Sequence, residues 1–295
     1  MHSSDIFASI GAIAVAALAF KAASAGVVYL LPSNLKRYAH VSGDGRPPWA
    51  LVTGASDGIG RAFADELALR GFNVVLHGRN QAKLDVAGEA RSQHSVDFNA
   101  IKDALQDLHL TVLINNAGGG STNPVYLSLG DCSERRITDN VSVNALFPLQ
   151  LIRVLLPHLA LNSPALIMNI SSMADAGFPM LASYGASKQF LMTLTRAINL
   201  ESALLGRTDI ECLGVRVGNV TSVSHNKETP SLFTPTAETM ARAALDRAGH
   251  GHVVVTGHWA HALQGASLTF LPSFMANKIM VDAIRVRWEA ELKSS

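Results

Sequence analysis

A glycine-rich turn between a short apolar segment and a helical pattern constrains the fold of this chain more than any other feature. The apolar segment Trp49–Thr53 predicts a buried strand, and a helix is expected from about Gly58 to Arg70, with Gly71 at its end. Further buried strands are predicted at 73–77, 110–114, 165–169, 210–217 and 253–255. Because helical patterns separate these strands, we expect an α/β fold, a Rossmann-type doubly wound parallel sheet.

The turn itself, Thr53-Gly54-Ala55-Ser56-Asp57-Gly58-Ile59-Gly60, has the spacing of a dinucleotide-binding turn. Gly54 permits the tight turn, Gly58 lets the backbone approach a pyrophosphate, and Gly60 lets the helix pack closely on the strand. The first helical turn then offers unpaired N–H groups to the phosphates. An ordinary strand–helix turn is the alternative. The predicted cofactor contacts in this segment are Gly54, Ser56, Gly58, Ile59 and Gly60.

The end of the second strand indicates which dinucleotide is preferred. The chain has His77-Gly78-Arg79-Asn80 there, without a carboxylate to bind the ribose 2′-hydroxyl of NAD. The Arg79 guanidinium can instead pair with a 2′-phosphate, and a solvated surface arginine is the alternative. The predicted cofactor is therefore NADP(H).

A tyrosine and a lysine four residues apart, Tyr184 and Lys188, share one helix face. Alone this pair occurs by chance in many chains. Here it follows, in a fixed order, the glycine-rich turn, Asn115-Asn116-Ala117-Gly118, Asn144 and Asn169-Ile170-Ser171-Ser172. Together these motifs resemble the short-chain dehydrogenase/reductase family, and the resemblance covers about Trp49 to Thr256.

The resemblance implies a catalytic group. Tyr184 would be the general acid in ketone reduction, with Lys188 and the oxidised nicotinamide lowering its pKa from a usual value near 10. Lys188 would also hold the nicotinamide ribose, and a serine hydroxyl would orient the carbonyl oxygen. Asn144 would hold a water in a proton relay, or would instead satisfy a helix kink near Pro148.

Two serines compete for the role of orienting the carbonyl. The position in Asn-Ile-Ser-Ser selects Ser172, whereas the family's usual 13-residue spacing to the tyrosine selects Ser171. We predict Ser172, because strand register fixes the direction of a side chain while the loop before Tyr184 can lose a residue.

The resemblance also implies further cofactor contacts. Asn116 would flank the cofactor, and Arg216–Ser222 resembles the family turn that binds the nicotinamide carboxamide, with Val220 and Ser222 as contacts. Between Arg79 and Asn115 the chain is shorter than the family pattern, and residues 95–98 are the one candidate for a third strand. If that strand forms, Asp97 would meet the adenine.

Both ends of the chain are apolar. The segment 6–31 is long enough to span a bilayer, with Lys21 as its one charge, and it predicts a membrane anchor or hairpin. A cleaved signal and a soluble core helix are the alternatives. Asp5 precedes the segment, and basic residues follow it, which places the catalytic domain in the cytosol. These basic residues are Lys36, Arg37 and Arg46.

The carboxy-terminal residues 259–288 are apolar but interrupted by Pro272. They predict helices that cover the substrate site or lie on a membrane surface, or else a docking helix. The predicted organisation is therefore an anchor and linker at 1–45, an NADP-binding Rossmann domain at 46–258 and an apolar helical tail at 259–295.

Within the family, the leader and the tail resemble the membrane-bound very-long-chain 3-oxoacyl-CoA reductases and their 17β-hydroxysteroid dehydrogenase relatives. That resemblance implies an NADPH-dependent carbonyl reductase of the endoplasmic reticulum membrane, acting on a lipophilic ketone, and family members often form homodimers. A secondary-metabolite ketoreductase or a non-catalytic nucleotide-binding scaffold is the alternative. The net charge of +1, with scattered basic residues, gives no sign of nucleic-acid binding, and the histidines have no metal-ligand spacing.

Overall fold

One parallel sheet forms the centre of the molecule. The computed structural model describes residues 11–13, 26–78, 96–120, 123–223, 226 and 228–294. Within them the strands are β1 (Pro48–Thr53), β2 (Asn73–His77), β3 (His109–Asn115), β4 (Ala165–Ser172), β5 (Ile210–Val217) and β6 (Val254–Thr256). Their spatial order is β2-β1-β3-β4-β5-β6, and every neighbouring pair is parallel. The predicted α/β class is confirmed.

Helices cover both faces of the sheet. They are α1 (Gly58–Leu69), α2 (Phe98–Leu105), α3 (Glu134–Val141), α4 (Phe147–Leu161), α5 (Ala182–Leu204), α6 (Ala237–Leu245), α7 (Trp259–Thr269) and α8 (Ser273–Ser294). A π-helical turn, Ser142–Leu146, joins α3 to α4, and short 3-10 turns lie at Leu35–Tyr38, Leu129–Asp131 and Met173–Ala176.

The strands alternate between two cores because successive side chains point to opposite faces. Val52 packs with α1 and α6 on one face, and its neighbour Leu51 packs with α2, α4 and α5 on the other. Strands β3 and β4 are buried almost throughout, as expected for parallel strands covered on both sides.

The candidate third strand at 95–98 is wrong where the structure describes it. Val96 and Asp97 belong to no strand, and Phe98 begins α2. The Asp97 carboxylate accepts hydrogen bonds from the backbone N–H groups of Asn99 and Ala100, at 2.9 and 3.0 Å. This is an N-cap, which favours the start of a helix over an extended chain. Among the described residues, β2 is therefore an edge strand.

Residues 26–40, assigned to the anchor and linker, pack onto the catalytic domain. Leu35 and Tyr38 are buried in the core. The Tyr38 hydroxyl donates to Glu211 at 2.6 Å, and the Tyr29 hydroxyl donates to the Thr256 carbonyl at 2.7 Å. This part of the leader is therefore structurally continuous with the domain.

Most of the predicted anchor lies outside the described residues. Within them, the continuous helix Glu134–Leu161 is long and apolar enough to cross a membrane. Half of its most apolar window is buried inside the protein, which is typical of a core helix. The tail forms α7 and α8, and its covering or membrane role stays a prediction.

Candidate active site

The carboxyl end of β4 and the start of α5 carry the predicted catalytic side chains. Ser172 is the last residue of β4, and Tyr184 and Lys188 lie one turn apart in α5. The buried Lys188 ammonium donates to the Ile170 carbonyl at 2.9 Å, and its Nζ is 5.8 Å from the centre of the Tyr184 ring. The strand and the helix are thus tied together through Lys188.

The two serines point to different partners. The buried Ser171 hydroxyl donates to the main-chain carbonyl of Lys188 at 3.2 Å. The Ser172 hydroxyl accepts from the backbone N–H of Ala174 at 3.1 Å and forms a hydrogen bond with the Tyr184 phenol. Since neighbouring strand residues face opposite ways, Ser172 faces the tyrosine while Ser171 supports the helix.

Burial controls the ionisation of the tyrosine and the lysine. Burial raises the pKa of Tyr184, the Ser172 hydrogen bond lowers it, and the negative charge of Asp175 raises it. Burial also lowers the pKa of Lys188 from 10.5 to about 8. With the protein groups alone, the pKa of Tyr184 is raised, which is the opposite of the predicted lowering. The reason is that the loss of hydration of the phenolate outweighs the Ser172 bond, while the Lys188 ammonium is directed to the Ile170 carbonyl.

An ion pair beneath the serines escaped the sequence analysis. The Asp175 carboxylate accepts from Nε of Arg216 at 2.6 Å, and its oxygen lies 3.4 Å from the Ser171 hydroxyl. The Asp175 side chain is only 3% exposed. An arginine near the end of the mostly apolar β5 was the available sign that a buried partner exists.

Asn144 lies in the π-helical turn between α3 and α4 and is fully buried. Its amide accepts from the Gly119 N–H at 2.9 Å and donates to the Gly119 carbonyl at 2.9 Å. It also donates to the Asn140 carbonyl at 2.9 Å, which satisfies a backbone group within the distorted helix. A Cβ at Gly118 would lie 2.5 Å from Asn144 Oδ1 and 3.1 Å from Lys188 Nζ, so Asn144 and Lys188 flank the same loop. The role of Asn144 in a proton relay stays a prediction.

The glycine-rich turn and the loop after β3 form one structure. The Thr53 hydroxyl accepts from the N–H groups of Asn116 and Ala117, both at 3.0 Å, and the Asn116 side chain donates to the Thr53 carbonyl at 3.1 Å. Gly54 has a φ of +65°, and a Cβ at Gly60 would lie 2.0 Å from the Gly54 carbonyl oxygen. The turn therefore admits no side chain at these glycines, as a dinucleotide cradle requires.

The remaining residues of the turn line the amino end of α1. Ser56, Gly58 and Ile59 are half-buried there. The turn after β5 reaches the same place, because a Cβ at Gly58 would lie 2.9 Å from Cγ1 of Val223. Val220 is buried in that turn, and Ser222 has a left-handed φ of 63°. The structure thus brings together, through Gly58 and Val223, the two turns that carry the predicted contacts.

The adenosine end is only partly described. Arg79 lies outside the described residues. His77 ends β2 and is buried, and its ring stacks on Phe147 with 5.4 Å between ring centres. Asp97 is exposed and caps α2, and its contact with adenine stays a prediction.

The fold and the site define a short-chain dehydrogenase. The family model described as short chain dehydrogenase matches residues 48–231. The chain therefore belongs to this family of oxidoreductases acting on CH–OH and C=O groups, and the predicted resemblance is confirmed.

Particular relatives narrow the comparison. The chain is 35% identical over 273 residues to a very-long-chain 3-oxoacyl-CoA reductase of Caenorhabditis elegans, covering 86% of this chain and 83% of that protein. It is 33% identical over 262 residues to the very-long-chain 3-oxoacyl-CoA reductase of Anas platyrhynchos, covering 83% of each. A short-chain dehydrogenase of Sphingobium yanoikuyae, solved in complex with NADPH, shares the fold with a TM-score of 0.61. Its identity is 22%, and the match covers 76% of this chain and 96% of that one.

Proposed function

We propose that this protein is an NADPH-dependent carbonyl reductase that acts on a lipophilic ketone, such as a 3-oxoacyl-CoA or a steroid-like substrate. The observation that carries the proposal is the placement of Ser172, Tyr184 and Lys188 at the carboxyl end of β4, beside the glycine cradle. Open α/β sheets bind ligands at this end of their strands.

The protein groups account for the proton in the reaction. Bound NADPH supplies the hydride that reaches the carbonyl carbon. A phenol has an ordinary pKa near 10, and burial raises the pKa of Tyr184 further, so the phenol is protonated at neutral pH and holds the proton that goes to the carbonyl oxygen. The Ser172 hydroxyl, already bonded to that phenol, orients the same oxygen. The buried Lys188 ammonium stabilises the tyrosinate left behind, and Asn144 holds a water of the proton relay.

NADP(H) is the cofactor that the binding residues fit. Gly54, Gly58 and Gly60 leave room for a pyrophosphate against the first turn of α1. Asn116, Val220 and Ser222 would contact the nicotinamide half of the cofactor. The β2 end provides no carboxylate, and Arg79 pairs with the 2′-phosphate.

A lipophilic substrate is favoured by the relatives of this chain. A small cavity at the start of α5 is lined by Arg136, Ser183 and several apolar residues. The apolar lining consists of Val125, Leu127, Leu129, Met180, Leu181 and Ala182, with Cys132 beside them. The relatives' names refer to very-long-chain acyl substrates. We assign the apolar leader as an anchor in the endoplasmic reticulum membrane, with the catalytic domain in the cytosol.

Two measurements on the purified protein test the proposal. Fluorescence titration compares NADPH with NADH, and NADPH consumption is then followed with 3-oxoacyl-CoA substrates of increasing chain length and with a steroid ketone. We expect NADPH to bind more tightly and turnover to rise with acyl chain length. The Tyr184→Phe variant should still bind NADPH but lose about 10²–10⁴-fold in turnover. Binding without turnover of any ketone would favour a nucleotide-binding scaffold.

A further inference from the structure

We propose that His261, in the first turn of α7, is a positioning residue that pins the turn after β5 to the lid segment and so shapes the nicotinamide side of the cofactor site. The lid segment is defined here as residues 228–236. The inference rests on the proposed NADP(H) binding, and it makes the carboxy-terminal tail part of the cofactor pocket.

The His261 ring contacts both segments directly. Its Nδ1 lies 3.2 Å from the Gly218 N–H and accepts a hydrogen bond from it. Its Nε2 lies 3.2 Å from the Phe233 carbonyl oxygen. A carbonyl oxygen can only accept a hydrogen bond, so Nε2 must carry the proton. These two partners together select the neutral tautomer with its proton on Nε2. The ring is fully buried, and burial lowers the pKa of His261, so the neutral form is the one present at neutral pH.

The contact with Gly218 fixes the start of a functional turn. Gly218 directly follows the last residue of β5. A Cβ at Gly218 would lie 2.9 Å from two carbons of the His261 ring, so a glycine is required for the ring to approach. Five residues later, Val223 reaches Gly58 of the glycine cradle. Fixing the Gly218 N–H therefore fixes the direction in which the turn enters the cofactor site.

The contact with Phe233 attaches the lid segment to the turn that follows β5. The Thr221 N–H donates to the Pro235 carbonyl at 3.0 Å, and the Asn219 side chain donates to Glu228 at 3.1 Å. His261 adds a bond from a third element, α7. The same helix lies over the end of β4, because a Cβ at Gly265 would be 3.3 Å from Cε of Met173. The tail thus holds the turns that follow both β4 and β5.

Three variants separate the two contacts. His261→Asn keeps an acceptor near the position of Nδ1 and loses the bond to Phe233. His261→Gln carries an amide N–H near the position of Nε2 and loses the bond to Gly218. His261→Phe keeps a ring but loses both bonds. His258→Phe is the matched control, because His258 is a buried neighbouring ring, 5.5 Å away, whose Nδ1 has no partner.

The first measurement is the NADPH dissociation constant, obtained by fluorescence titration. We expect His261→Phe and His261→Gln to weaken binding about 5- to 100-fold, the range for a lost buried hydrogen bond, and His261→Asn to restore most of the affinity. The second is chymotryptic cleavage after Phe233, followed by mass spectrometry against cleavage after the exposed Phe270 as an internal reference. Cleavage after Phe233 should accelerate in His261→Phe and His261→Asn but not in His261→Gln.

Other outcomes separate failure of this inference from failure of the proposed function. If all three variants lower the melting temperature equally and leave NADPH affinity and the cleavage ratio as in the control, His261 is only a packing residue and the inference is overturned. If the wild-type protein binds no NADPH, the proposed function fails. The ratio of cleavage after Phe233 to cleavage after Phe270 then decides alone whether His261 holds the lid segment in place. An unchanged ratio in His261→Phe rejects this role of His261.

Discussion

The proposed catalytic end of β4 and β5 and the outer edge at β2 are built in different ways. At β4 and β5, side chains bond to separate elements: the Lys188 ammonium donates to the main-chain carbonyl of Ile170, and the Asp175 carboxylate pairs with Arg216. At the outer edge, a contact between distant side chains is the stacking of His77 on Phe147, which is a ring contact and not a hydrogen bond or an ion pair. Strand β2 is partly exposed, and among the described residues Asp97 accepts hydrogen bonds from the start of its own helix.

This difference suggests that the two regions serve different functions, proton transfer at β4 and β5 and cofactor choice at β2. Groups that perform proton transfer need fixed positions, and a packed, cross-linked region provides them. Groups that choose between NADP(H) and NAD need only a charge at the right place on the surface. We therefore expect substitutions near β4 to change turnover, and substitutions near β2 to change cofactor choice or local stability.

The largest expected effect lies in the catalytic region. Ser172→Ala should lower kcat by about 10²–10³-fold, because the substrate oxygen loses a hydrogen bond that matters most in the transition state. Ser171→Ala, one residue earlier, should leave kcat within about threefold and instead lower the free energy of unfolding by roughly 1–2 kcal/mol. Steady-state kinetics and urea unfolding of both variants check this. A larger loss of kcat in Ser171→Ala would reverse the assignment.

At the outer edge, cofactor choice is the property to test. Arg79→Ala should weaken NADPH binding about 10- to 100-fold and leave NADH binding nearly unchanged, because only NADPH carries the 2′-phosphate. Titration of both nucleotides measures this. Arg61→Ala is a suitable control, since Arg61 is an exposed arginine paired with Asp65 on α1. Equal weakening by the two substitutions would mean that Arg79 acts only through general charge.

A buried lysine should make the catalytic region less stable than an apolar replacement would. The folded-state pKa of Lys188 is about 8, below its ordinary 10.5, so the folded protein binds this proton less tightly than the unfolded chain. The free-energy cost of burying the charged Lys188 is therefore present in full below pH 8 and disappears as the pH rises towards 10.5. Lys188→Met should raise the free energy of unfolding at pH 7 by about 1–3 kcal/mol, while abolishing turnover.

Unfolding of both proteins at several pH values tests the lysine prediction. The advantage of the Lys188→Met variant should shrink between pH 8 and pH 10. An advantage that stays constant with pH would show that Lys188 remains charged, held by its bond to Ile170.

The smallest effect is expected at the Asp97 cap. Asp97→Ala should lower the free energy of unfolding by about 1 kcal/mol, and Asp97→Asn should be close to wild type, because asparagine also caps helices. Thermal melting measures the stability, and NADPH titration follows the cofactor. If Asp97→Asn weakens NADPH binding without changing the melting temperature, Asp97 contacts the adenine as predicted. The outer edge at β2 would then also hold a side chain in a fixed position for the cofactor, as the β4 and β5 end does for proton transfer.

The sequence predicted the features that depend on neighbouring residues. Strands 73–77 and 210–217 were predicted with the bounds that the structure has, because their apolar runs end at turn residues. The glycine spacing of residues 54–60 predicted a strand, a tight turn and a helix. The same local logic failed at 95–98, where a short apolar pattern resembled a strand but the capping carboxylate of Asp97 starts a helix.

The tertiary structure decided what depends on distant residues. The pairing of Asp175 with Arg216 and the burial of Tyr38 against Glu211 join segments 41 and 173 residues apart. The contacts of His261 do the same across 43 and 28 residues. Such contacts leave no periodic trace in the chain, because each depends on how whole strands and helices pack.

The same distinction applies to the catalytic group. Residue order alone determined that a tyrosine and a lysine share one helix face, because a helical repeat is a local property. Only the folded chain decided that Ser172 rather than Ser171 meets the phenol, and that burial raises the pKa of Tyr184. Strand direction and desolvation are set by everything packed around a residue, and no stretch of sequence contains that information by itself.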